Sequence, residues 1–275
     1  MKIDAHQHFW QFDSERDAWM TDEMEVIRQD FMPADLKPHL ERAGIDGCIA
    51  VQADQSETEN DFLLTLANEY SWIKGVVGWA DLRSESLEDS LARLKQNNKF
   101  KGVRHIVQAE PEGFMIADDF VKGVSLVGKH DLTYDLLITE SQLAESLDFI
   151  KRLPEMPIVI DHIGKPNIKE GSFDHMTKYM RKIAQYEHVH VKLSGMVTEA
   201  DWYDWSEDKI KPYIDFFLET FGASRLMFGS DWPVCNLAAS YEAVFYLVKN
   251  YVGQLSKDEQ DQIMGLTAQK FYHIN

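Results

Sequence analysis

The sequence predicts a single (β/α)8 barrel, and three observations lead there. Short β-branched runs alternate eight times with longer amphipathic stretches, as βα units around a parallel sheet require. A length of 275 residues suits one such barrel. The run 157–162 is nearly continuous in β-branched residues, as expected of a strand buried on both faces. The rival architecture is an open doubly wound sheet. Its nucleotide-binding forms would need Gly-x-Gly-x-x-Gly or Gly-x4-Gly-Lys-Ser/Thr after the first strand, and neither is there. No repeat, low-complexity linker or composition break divides the chain, so one domain over 1–275 is expected.

The elements follow in order. Residues 3–5 open the first strand. Residues 9–32, rich in charged and aromatic side chains, are too long for an ordinary βα connection and read as an inserted loop or lid. Residues 33–43 read as a helix, with Pro33 in its first turn and Gly44 closing it. Strand two is 47–51. Residues 58–61 resemble a helix cap, with Phe62, Leu66 and Tyr70 on one helical face behind them. Strand three is 74–80; Leu87, Leu91 and Leu94 then fall at helical spacing behind Ser86. Strand four is 102–107, followed by a helix over 118–129 and strand five over 132–138. Leu143, Leu147 and Ile150 mark the next helix, with Thr139 and Gln142 as its cap pair. Strand six (157–162), a helix near 173–186, strand seven (189–193), a helix over 207–221 and strand eight (225–231) come next. Helical stretches at 240–251 and 256–271 finish the chain. The second opens on a Ser256-Lys257-Asp258-Glu259 capping box, so 256–275 is expected to be a C-terminal helix.

The formal charge of −18 argues against a nucleic acid or an anionic membrane as partner, since no Lys/Arg block offsets it. A neutral small molecule is the easier substrate. Only Cys48 and Cys235 occur, with neither a disulfide framework nor Cys-x-x-Cys, and no signal peptide is visible. The longest apolar runs fall far short of the ~18–20 residues of a membrane span. A cytoplasmic protein is expected.

Polar residues recur at one level. In a barrel the active site lies at the C-terminal strand ends. Reading those ends in order gives His6 and His8, Gln52, Trp79, Arg104 and His105, Asp135, His162, Lys192 and Asp231. Buried charge is costly unless paired, metal-bound or hydrated, so such a ring points to a site. His6 and His8, at i and i+2, share one face of a strand and could grip one cation together.

Three stretches, with Gly102-Val103-Arg104-His105 between them, carry a resemblance. They are Asp4-Ala5-His6-Gln7-His8, Asp161-His162-Ile163-Gly164-Lys165-Pro166 and Gly229-Ser230-Asp231-Trp232-Pro233. Together they resemble the amidohydrolase superfamily, and within it the sugar-lactonase branch of the L-fuconolactonase and L-rhamnonolactonase type. The resemblance implies a distorted barrel and hydrolysis of an aldonolactone ring ester. It also implies that His6, His8, His162 and Asp231 are the inherited metal and catalytic positions. Asp135 stands where many members carry a metal-binding histidine, and Arg104 and His105 stand where binuclear members carry a bridging lysine or glutamate. One divalent ion, zinc, is therefore the most that is expected, and related lactonases work without any.

In the lactonase reading Asp231 is the base, His162 a ligand or a donor to the carbonyl oxygen, and Arg104 a donor to that oxygen or to sugar hydroxyls. His105, Trp79, Asp135, Lys165, Lys192 and Trp232 are the candidate substrate contacts. Bland readings stand beside these. Arg104, Asp135 and Lys192 also suit buried ion pairs, His105 may equally face the helices, and Trp79 and Trp232 may be core. The competing functions are a decarboxylase of an aromatic or unsaturated acid, and a barrel that binds a sugar acid without turning it over.

Overall fold

The computed structural model describes residues 1–171 and 173–274. Eight parallel strands lie in sequence order. They are β1 (Ile3–Gln7), β2 (Gly47–Val51), β3 (Ile73–Gly78), β4 (Phe100–His105), β5 (Thr133–Leu136), β6 (Ile158–Ile160), β7 (Val189–Leu193) and β8 (Leu226–Phe228). Helices α1 (Pro33–Ala43), α2 (Glu57–Glu69), α3 (Leu87–Leu94), α4 (Asp118–Lys129), α5 (Leu143–Arg152), α6 (Asp174–Ile183), α7 (Glu207–Phe221) and α8 (Tyr241–Val252) follow the strands in turn. A bridge from Gln7 to Trp232 closes the ring between β1 and the segment after β8. The fold is a (β/α)8 barrel.

Strand alternation sorts the side chains into two cores. Ile3, Ala5, Ile49, Val51, Val77, Val159 and Met227 fill the barrel lumen, where Phe271 and Tyr272 join them from the end of the chain. The opposite faces pack on the helices in a larger outer core.

The caps explain where several helices begin. Pro33 stands at the first position of α1 and Gly44, at φ 65°, ends it. The α2 cap is Ser56, two residues before the expected position, and its hydroxyl accepts from Glu59 N at 3.2 Å. The Thr139–Gln142 and Ser256–Glu259 boxes both form.

Two expectations need correction. The C-terminal stretch is not one helix: α9 (Lys257–Asp261) and α10 (Thr267–Phe271) are separated by a π-type turn at Gln262–Leu266. Gly265 sits in that turn because the N-terminus passes close by; a Cβ there would meet Met1 O at 2.1 Å. Strands six and eight also end early, at Ile160 and Phe228, before the residues of interest.

Residues 9–32 form a loop fastened at its base. Trp10 and Phe31 exchange backbone hydrogen bonds of 3.0 and 2.8 Å, and Trp10 Nε1 donates to Gln29 O. Phe9, Trp10, Met20, Ile27 and Phe31 are buried, so the loop adds to the core. No helix among the described residues is long and apolar enough to cross a membrane.

Candidate active site

The site begins where β1 meets the end of β8. Asp231 N donates to His6 O at 2.8 Å and His8 N to Trp232 O at 2.7 Å. Asp4 fastens the same seam: its Oδ1 accepts from Ser230 N at 2.9 Å and His6 N at 3.2 Å. Burial pushes the Asp4 carboxyl up to about 6 even with these bonds. Asp231 has φ 59° and His162 φ 53°. Left-handed backbone is unfavourable for either residue and clusters at functional sites. Here it turns both side chains inward just beyond their strands. Gly195 leaves room for the His162 ring, since a Cβ on it would stand 2.7 Å from that ring.

The result is a compact buried cluster. His6 Nε2 lies 3.2 Å from His8 Nε2 and 3.8 Å from Asp231 Oδ1. Asp231 Oδ1 lies 3.5 Å from His8 Nε2 and 3.8 Å from His162 Nε2. Burial alone would raise the Asp231 carboxyl, but the imidazoles of His162, His8 and His6 hold it well below the usual carboxylate range. Burial pushes His162 down to about 4 and His6 well below an ordinary imidazole. At neutral pH the site therefore holds the Asp231 carboxylate beside the neutral rings of His6 and His162.

Beneath it lies a sealed charge network. Lys192 Nζ is 2.5 Å from Asp135 Oδ2, 3.0 Å from Asp161 Oδ1 and 3.0 Å from His6 Nδ1. Arg104 Nη1 is 3.2 Å from Asp161 Oδ2 and 3.5 Å from His6 Nε2, and Nη2 donates to Gln52 O. Tyr272 reaches up the lumen to donate to Asp135 Oδ2 at 2.8 Å. Burial would raise the Asp161 carboxyl, yet Lys192, His6 and Arg104 keep it well below its usual value.

The donor set fits a divalent ion. Zinc bonds of ~2.0–2.1 Å in a tetrahedron put ligand atoms about 3.3 Å apart, close to the 3.2–3.8 Å found here. His8 Nδ1 lies 2.8 Å from Val51 O. A carbonyl only accepts, so the proton sits on Nδ1 and the Nε2 lone pair faces Asp231. His6 Nδ1 lies 3.0 Å from the Lys192 ammonium, which only donates, and 3.4 Å from Asp161 Oδ1, so Nδ1 accepts and the ring proton sits on Nε2; offering Nε2 to an ion requires that proton to move to Nδ1, toward Asp161. His6, His8 and Asp231 form one candidate group, and His6, Asp161 and His162 another.

The cluster thus contains His6, His8, His162, Asp231 and Arg104. The remaining sequence candidates lie elsewhere. Asp135 and Lys192 are fully buried in the network below. His105 lies 2.8 Å from Glu110 and stacks on Phe114, on the outer face that its strand position alternates toward. Trp232 is 2% exposed, packed against Phe9 and Phe31. Trp79 is half-buried, its backbone clamped by the Asn60 amide at 2.7 and 2.8 Å. Lys165 Nζ bonds Gln108 and Glu199, both at 3.1 Å.

Sequence alone gives no role to Asp161 or Ser194. Alternation along an unbroken strand would send Asp161 away from His162, and only the left-handed turn lets both face in. Ser194, 2.9 Å from His162 Nδ1, follows strand seven with no local signal.

A family model described as Amidohydrolase matches residues 3–274. The chain belongs to this amidohydrolase family. An L-fucono-1,5-lactonase of Burkholderia multivorans is 38% identical over all of this chain and 96% of its own length. An L-fucono-1,5-lactonase of Burkholderia ambifaria is 36% identical over the same shares. A crystal structure of an amidohydrolase from B. multivorans with bound zinc superposes with a TM-score of 0.96 at 38% identity, covering both chains completely.

Proposed function

We propose that this amidohydrolase hydrolyses a neutral sugar aldonolactone, of the L-fucono- or L-rhamnonolactone kind, to the aldonic acid. The observation that carries the reading is the Asp231 carboxylate set within 3.5–3.8 Å of three imidazoles. The full-length similarity to L-fucono-1,5-lactonases supports the same chemistry.

His6, His8 and Asp231, with His162 beside them, would hold one divalent ion, zinc by the example of the relative; when bound, such an ion acidifies water and polarises a carbonyl. The chain's own groups do the rest. Asp231 Oδ1 takes the proton of the water that attacks the lactone carbonyl carbon. His162 Nε2 and the positive field of Arg104 face the oxygen on which negative charge develops. As the ring C–O bond breaks, Asp231 returns its proton to the leaving ring oxygen. The product acid then ionises in solution.

The placement of Arg104 favours a neutral lactone over a carboxylate substrate. Its two terminal nitrogens are engaged by Asp161, Gln52 and His6, which leaves no free fork for a substrate carboxylate.

A pH-indicator screen of aldonolactones, run with and without chelator, tests the proposal. Acid release from L-fucono- or L-rhamnonolactone is the expected result. Turnover of an aromatic acid with no turnover of any aldonolactone would overturn it. Loss of activity in chelator, restored by zinc, assigns the metal role; full activity after thorough chelation removes it.

A further inference from the structure

We propose that the base of the barrel, opposite the histidine cluster, carries a second site for a phosphate or phosphomonoester dianion, built on Lys74, Lys99 and Lys101 and bordered by His273. This site is independent of the reaction at the mouth.

The strand register shows how it is built. Between β2 and β3 the pairing passes from Cys48–Ile73 to Ile49–Gly75, so Lys74 is an extra residue on β3. Between β3 and β4 it passes from Val76–Phe100 to Val77–Gly102, so Lys101 is an extra residue on β4. Both lysines are thus the bulged residues of adjacent strands. A bulge re-aims its side chain and is used where that direction matters.

Glycines on the neighbouring strands let the re-aimed stems lie flat. A Cβ on Gly47 would stand 2.7 Å from Lys74 Cγ, and a Cβ on Gly75 would stand 2.5 Å from Lys101 Cγ. Any larger residue at either position would displace the lysine over it. The three lysines are half-buried rather than splayed into solvent.

The three lysines line a cavity of about 290 Å³, together with His273, Ser71 and Asn98. Each ammonium donates to one backbone carbonyl: Lys74 to Ser71 O at 3.1 Å, Lys99 to Ile73 O at 2.6 Å and Lys101 to His273 O at 3.2 Å. An ammonium has three donors, so each keeps two. Among the described residues no carboxylate pairs with any of the three, in a chain of net charge −18. Burial and mutual repulsion lower the affinity of Lys99 for its proton. A compact dianion would accept the spare N–H groups and offset that repulsion. The wider acidic surface works against anion approach, so binding is weak and sensitive to salt.

Thermal unfolding of the intact protein, followed against inorganic phosphate and separately against glycerol phosphate, tests this. Sodium chloride at matched ionic strength is the baseline. A saturable rise in Tm, half-maximal in the millimolar range, is expected. In Lys99→Met and in Lys101→Met the half-point should move about tenfold higher. His8→Ala, altered only at the mouth, should respond as the parent does. If one lysine variant does not fold, Lys74→Gln and phosphorus-NMR line broadening on the unaltered protein replace it. A rise equal to that in chloride would overturn the proposal, as would one lost in His8→Ala and kept in the lysine variants. Response to inorganic phosphate alone would identify the free ion as the occupant.

Discussion

The ammonium of Lys192 lies 3.0 Å from Nδ1 of His6, and solvent reaches neither side chain. This contact couples the face that would meet substrate to the charges sealed below it. Removing the cation leaves Asp135 without its ion-pair partner and weakens the compensation of Asp161. Lys192→Met should therefore lose about 3–5 kcal/mol of stability in urea unfolding. Adding Asp135→Leu should recover part of that loss. A single variant as stable as the parent would show that the network is not charged as described.

Asp231→Asn keeps the shape of the cluster and removes the proton acceptor. Lactone kcat should fall by roughly 10²–10⁴-fold with KM little changed. A loss confined to KM would instead make Asp231 a substrate contact.

Zinc should raise the Tm of the parent, because an ion that binds only the folded cluster stabilises it by mass action. His8→Ala, which removes one ligand atom, should bind zinc more weakly and show a smaller rise. Equal rises in both would place the ion elsewhere.

Ordinary imidazoles would make activity fall below about pH 6. Burial moves that limb down, since His162 is lowered to about 4 and His6 is lowered too. The limb that these two rings set should lie below pH 6, near the His162 value. Stability follows the same sign. A histidine depressed on folding takes up its proton first in the unfolded chain, so stability is lost as pH drops from about 6.5 toward 4. A stability in urea that does not fall between pH 6.5 and 4 would contradict the depressed His6 and His162 rings.

Glu59 gives the opposite slope. Burial raises its carboxyl to about 7, although Oε1 accepts from Ala53 N at 2.9 Å. A carboxylate raised on folding ionises first in the unfolded chain, so stability is lost as pH climbs from about 4.5 to 7. Glu59→Gln retains an acceptor for Ala53 and should remove this slope, gaining on the order of 2 kcal/mol at pH 8. An unchanged slope in urea titrations at pH 5 and 8 would refute the assignment.

Much of this was legible in the chain. Apolar periodicity of two and of 3.6 is a local property, so eight strand–helix units could be counted from residues alone. The His6–His8 pair was legible for the same reason; alternation also put Arg104 and His105 on opposite faces, but only the structure showed that Arg104 faces in and His105 out. What could not be read were departures from regular geometry. Strands six and eight stop before His162 and Asp231, and left-handed backbone turns these residues inward. The last helix is broken at Gly265, where Met1 passes so close that a Cβ would clash with it, a contact between residues at opposite ends of the chain.

The sequence by itself determined the barrel, the strand ends at which polar groups gather, and the family resemblance, because each depends on residue type and short-range spacing. Tertiary structure decided which of those groups meet. It drew His6, His8, His162, Asp231 and Arg104 into one cluster and sank Asp135 and Lys192 beneath it. It also turned Trp232 into the core. The physical reason is that a buried charge must find a partner in space, and closure of the ring determines which residues are near enough to serve.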